Sequence, residues 1–133
     1  MSFGSGGEPD WARFGELVRD DAIFLQAERG SNPTKHMDME GFRQDWRDFL
    51  DNTPVVERGF TETVVRHQTA VFGNVAHSFV VFHPRIGESD DRLPVLGVDS
   101  IQLVKAQGRW WIASITTQFE TPELKAPERF GAG

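Results

Sequence analysis

Apolar residues change their period once along the chain. As far as Leu50 they recur at helical spacing around one short apolar run, and from Thr61 onward they alternate as strands do. Asp10 is placed to cap a short helix running to about Val18, with Trp11, Phe14 and Leu17-Val18 on one stripe. The run Ala22 to Ala27 is too short for a helix and predicts a strand. Arg29 to His36 is dense in Gly, Asn, Pro and Ser and predicts a loop, with His36 in it. A second helix is predicted from Asp38 to near Leu50. Met39, Phe42, Trp46, Phe49 and Leu50 form its apolar stripe, Arg43, Asp45, Arg47 and Asp48 lie on its wet face, and Asn52-Thr53-Pro54 ends it.

Four strands follow. Residues 61–72 and 75–83 flank Gly73-Asn74, a two-residue hairpin signal, and residues 98–105 and 110–119 flank Gln107-Gly108. Residues 84–94 read as a polar loop. The domain is predicted to span residues 10–120, behind a flexible Gly- and Ser-rich leader (1–9) and ahead of a loosely held tail (121–133).

Two-residue loops assign the faces. Pairing Phe72 with Val75 sets His67 opposite Val80, and groups Thr61, Thr63, Val65, His67 and Thr69 with Ala76, Ser78, Val80 and Phe82. Pairing Ala106 with Arg109 sets Asp99 opposite Thr116, Ile101 opposite Ser114 and Leu103 opposite Ile112. That face is apolar at the end holding Trp110, Ile112, Leu103 and Ile101. It turns polar toward Asp99, Ser114, Thr116 and Gln118. An apolar cup with a few convergent polar groups is the usual make-up of a small-molecule pocket. Its predicted lining is Ser78, Val80, Phe82, Ile101, Trp110 and Ile112, with Ser114, Thr116 and Gln118. A one-residue bulge in either hairpin would swap the faces beyond it.

Composition then narrows the chemistry. The 133 residues include no Cys and no Tyr, against 11 Phe and 4 Trp, which removes thiol nucleophiles, Cys-zinc sites and phenol donors. A core of this size needs no metal or disulfide staple. Twenty acids against 14 bases leave a net charge of −6, which argues against nucleic acid and against an anionic membrane surface. No apolar run approaches a membrane span and no basic-then-apolar start marks export, so a soluble cytoplasmic protein is expected. His77 and His83 share a face but stand roughly 20 Å apart along a strand, and no HxH or HExxH occurs. Neither a metal nor a cofactor is expected.

Asp99 is the most informative carboxylate, since it interrupts an otherwise apolar strand. Desolvation in such a cup raises a carboxyl pKa and suits a general base working near neutral pH. The plainer reading is a structural acid bonded to a strand or loop group. His67 faces the same way and could pass a proton or bond a ligand carbonyl, against the plainer reading of a satisfied strand histidine. Trp110 and Trp111 point to opposite faces, and one of them suits an interface.

Two stretches carry a family resemblance. Phe72-Gly73-Asn74-Val75-Ala76-His77 resembles the glycine hairpin that opens a central strand in the NTF2-like, SnoaL-like superfamily. Asp99-Ser100-Ile101-Gln102-Leu103-Val104, followed by Gly108-Arg109-Trp110-Trp111-Ile112, resembles its closing hairpin with a G-x-W-x-I signature. The resemblance covers roughly residues 10–120. It implies an α+β cone, a curved antiparallel sheet packed by helices around an apolar pocket, and a homodimer formed through the open sheet face. Ketosteroid isomerases, polyketide cyclases, dehydratases, epoxide hydrolases and non-catalytic modules share that architecture. Two departures matter. Only seven residues, mostly Gly and Ser, precede Glu8-Pro9-Asp10 where such domains carry a long lid helix, so the lid is expected to be short or truncated. The absence of Tyr excludes a tyrosine oxyanion hole, and Arg43-Gln44-Asp45 has the Arg-x-Asp spacing of epoxide hydrolases but lies on a helix rather than a strand.

Three functional readings follow. The first is a domain that binds a small, mostly apolar molecule without assured chemistry. The second is an isomerase, cyclase or dehydratase with Asp99 as base and His67 as its partner. The third is an assembly module whose open sheet face, bearing Gln102, Val104, Trp111 and Ile115, recruits another protein.

Overall fold

Two aspartates start the helices, as their positions predict. Asp10 Oδ1 accepts from Arg13 N at 3.1 Å ahead of α1 (Trp11–Leu17), and Asp38 Oδ1 accepts from Gly41 N at 2.8 Å ahead of α2 (Met39–Asn52). The computed structural model describes residues 9–87 and 95–129. Between the helices lie β1 (Val18–Gln26) and β2 (Lys35–Met37). After α2 come a single turn, α3 (Val55–Arg58), and then β3 (Phe60–Phe72), β4 (Val75–Ile86), β5 (Gly97–Ala106) and β6 (Arg109–Phe119). His36 therefore sits in β2, opposite Leu25, and not in a loop. The leader up to residue 8 and most of the polar loop expected at 84–94 lie outside the described residues.

The strands form one six-stranded sheet in the order β2-β1-β6-β5-β4-β3, antiparallel throughout except for β1 against β6. Both hairpin turns are local chemistry. Gly73 takes φ +58°, and Gln107 and Gly108 take +55° and +79°, the paired positive angles of a type I′ turn.

Helices α1 and α2 cover one face of the sheet at its β1 end. Phe24 is the centre of that core, stacked at 4.1 Å on Phe42 of α2 and at 6.0 Å on Phe14 of α1. Val18 and Ala22 are buried beside it, with Ile112 and Ile115 of β6 packed against them. Farther along α2, Trp46 and Phe49 meet Phe60 of β3 edge-on. Phe82 of β4 lies over Gly97 of β5, where any Cβ would overlap its ring. This architecture is the α+β cone that the order of elements predicts.

Each long hairpin carries one bulged residue, and each moves side chains between faces. Beside the turns the register is the predicted one: His67 opposite Val80, and Leu103 opposite Ile112. In β3 the pairing jumps from Arg66–Val81 to Val64–Phe82, leaving Val65 unpaired. Thr61 and Thr63 thereby leave the face of His67, and Phe60, Glu62 and Val64 take it. In β6 the pairing jumps from Leu103–Ile112 to Gln102–Ser114, leaving Ala113 unpaired. Asp99 consequently faces Thr117 and Ile101 faces Ile115, in place of the expected Thr116 and Ser114.

The chain beyond β6 is more tightly held than its composition predicts. Glu120 accepts from Leu96 N at 3.0 Å and from Ala126 N at 2.7 Å. Arg66 Nε donates to the Pro127 carbonyl at 2.7 Å, so residues 120–127 return across the uncovered sheet face.

Candidate functional site

The concave face, on the helix side, carries a row of side chains that crosses the whole sheet and is polar at every position but Val80. Register places His67, Val80, Asp99, Thr117, Gln26 and Lys35 on successive strands of that row. At its β2 end Asp45 of α2 accepts from Lys35 Nζ at 2.8 Å and from Gln26 Nε2 at 3.5 Å. At its centre Thr117 Oγ1 donates to Asp99 Oδ1 at 2.5 Å.

The acidity of Asp99 departs far from the ordinary. Burial pushes its carboxyl up to about 6, the Thr117 bond opposes the rise, and the charge of Glu62 adds to it. Burial likewise raises Glu62, on β3 of the same face. Two desolvated carboxyls thus share the cone, and among the described residues no third His, Asp or Glu joins them as a metal-ligand set.

The predicted pocket residues divide between the two faces. Ser78, Val80, Phe82, Ile101 and Ile112 line the concave side, with Trp110 on the same side at the hairpin end beyond Ile112. Ser78 shares its hydroxyl with Thr69 at 2.8 Å. Ser114, Thr116 and Gln118 point to the opposite, open face, because the bulge at Ala113 reverses everything beyond it. His67 is on the expected face but exposed, two strand spacings from Asp99 (roughly 10 Å) with Val80 between them. It does not touch the carboxyl. Of the side chains expected to offer an interface, Gln102, Val104 and Trp111 lie on the open face, and Ile115 belongs to the core. The Trp111 indole donates to the Ala106 carbonyl at 3.2 Å and Arg109 stacks over its ring at 3.7 Å.

Thr117 and Glu62 are the site residues that alternation misses. Thr117 had a signal: Ile112 and Ile115 are both core-facing at an odd spacing, which an unbroken strand forbids. Glu62 had none that strong.

Neither a family model nor a curated protein matches the chain. Solved structures do. An NTF2-like protein of unknown function from Pseudomonas putida KT2440 superposes with a TM-score of 0.64 at 10% identity, over 92% of this chain and 83% of that one. A candidate ketosteroid isomerase from Shewanella frigidimarina gives 0.56 at 15% identity over 81% of each chain. An NTF2-like protein with a cystatin-like fold from Novosphingobium aromaticivorans gives 0.58 at 11% identity, over 81% of this chain and 68% of that one. Among the described residues no helix is long and apolar enough to cross a membrane.

Proposed function

With the NTF2-like fold as the premise, we propose that the chain binds a small, mostly apolar molecule on the concave side of its sheet, with Asp99 meeting the molecule's polar end. The observation that carries this reading is a desolvated carboxyl, pushed up to about 6, on the helix-covered face. Such a group donates to a carbonyl when protonated and accepts from a hydroxyl when ionised, so it serves either polar end near neutral pH. Val80, Phe82 and Ile101 supply the apolar surroundings, and Ser78 a further hydroxyl. The same reading includes a homodimer and a cytoplasmic location.

A second reading, proton transfer, is favoured by the same raised acidity. Thr117 holds Oδ1 of Asp99 and leaves Oδ2 to take a proton from a carbon beside a ligand carbonyl and return it to another carbon, with no net change in protonation. Glu62, itself raised by burial, adds to the rise of Asp99. The name of the Shewanella neighbour agrees with this chemistry. His67 would take part only by meeting the ligand itself.

Native mass spectrometry of the protein purified from its own host tests the binding reading. A co-purified small molecule that Asp99→Asn loses is the expected result, and the same spectrum reports pairing. A bare wild-type protein, or full ligand occupancy in the variant, contradicts it.

A further inference from the structure

The returning C-terminal segment turns part of the open face into a walled groove. Thr121 N donates to the Leu124 carbonyl at 3.0 Å and closes a turn. Arg29 donates to the Glu120 carbonyl at 2.9 Å, which together with the Arg66 bond ties the segment down at both ends. Between segment and sheet lies a cavity of about 270 Å³, just below the usual range for small-molecule pockets. Phe79 and Val98 wall it from the sheet, Leu124, Ala126 and Pro127 from the segment.

Its floor is polar in one spot only. Ser100 and Thr116 are direct cross-strand partners, and Gln118 is the next side chain of β6 on that face. Among the described residues, none of these three side chains makes a hydrogen bond to another. Two hydroxyls and a carboxamide stand in this apolar groove without a partner in the protein, open to water or to a ligand. Charge decides the ligand class. Glu120 and Lys125 both line the groove and offset each other, and the Glu120 carboxylate is already engaged by two backbone amides. Nothing there favours an ion over a neutral molecule.

We propose that this groove binds a small, neutral, largely apolar molecule carrying one carbonyl oxygen, a ketone or an ester, which accepts from both the Ser100 and Thr116 hydroxyls. The site is on the face opposite Asp99 and is independent of the function proposed above.

Titration of ¹⁵N-labelled protein with 2-nonanone, and separately with nonanoate, followed by amide shifts, tests it. The ketone is expected to give saturable shifts at Ser100, Thr116 and Ala126, and nonanoate to bind at least tenfold more weakly. Ser100→Ala and Thr116→Val, conservative changes in a strand, should each weaken the ketone about fivefold, the worth of one ordinary hydrogen bond. Ala126→Trp should fill the groove and abolish binding. The proposal is overturned by ketone shifts confined to the concave residues, by equal binding of nonanoate, or by hydroxyl variants that bind as wild type does. It is equally overturned if the same amides shift with protein concentration alone and ignore the ketone, because a second copy then occupies the face.

Discussion

The two faces of the sheet use the same strands for opposite purposes. On the concave face aromatic rings from α1 and α2 close over Phe24 and Phe60, and the Thr117 hydroxyl is spent on a desolvated carboxyl, Asp99. On the open face the cover is a stretch of chain held by Glu120 and Arg66, and the hydroxyls of Ser100 and Thr116 are left unspent. Val81, between Arg66 and Val98 on the open side, has no exposed surface. The difference between the faces turns on single inserted residues. Without the bulge at Ala113, Thr116 and Ser114 would stand beside Asp99, and the core would lose Ile115.

Substitutions can break this contrast to graded extents. Phe24→Ala removes the ring around which Phe14 and Phe42 stack and should lower stability by about 3–5 kcal/mol in chemical denaturation. A loss under about 1 kcal/mol would mean that the helices do not pack as described. Asp99→Asn should act in the opposite direction, and only over part of the pH range. Burial raises Asp99 to about 6, so between about pH 4, where the unfolded carboxyl titrates, and pH 6 the folded protein holds a proton that the unfolded chain releases. Stability therefore falls as pH rises through that window and stays lower above it. The Asn variant should lose this slope and gain about 2 kcal/mol at pH 8, read from unfolding curves at several pH values.

The open face should respond less. Glu120→Gln weakens two bonds to backbone amides and should cost about 1 kcal/mol, with faster hydrogen exchange at Leu96 and Ala126 as the specific sign. Phe72, 90% exposed at the tip of the first hairpin, marks the lower bound: Phe72→Ser should change stability by less than about 0.5 kcal/mol. A larger loss would show that the tip is covered in solution, as pairing of two copies through the hairpin ends would require.

Local chemistry was legible in the sequence, and long-range accounting was not. The caps at Asp10 and Asp38, the turns at Gly73 and Gln107-Gly108, and the register beside each turn all follow from residues a few positions apart. Asp99 stood out because a carboxylate inside an apolar strand is conspicuous at any register. Its neighbours did not, because a bulge changes no composition and its cost is settled by packing on distant strands. Thr116 was therefore expected where Thr117 stands. The tail escaped for a related reason: Arg66 reaching Pro127 spans 61 residues, and no local pattern announces a side chain bonding such a remote carbonyl. The polar loop, Gly/Pro content and charge of a segment predict how it behaves alone, not what holds it.

The concave carboxyl is the point on which the account rests. A ¹³C-detected pH titration of the side-chain carboxyls, with Asp99 assigned by its absence in Asp99→Asn, tests it directly. The account predicts a midpoint of about 6 for Asp99, falling toward the ordinary range in Glu62→Gln as the neighbouring charge is removed. A midpoint of about 4 in the wild-type protein, the value of a solvated aspartate, would contradict it.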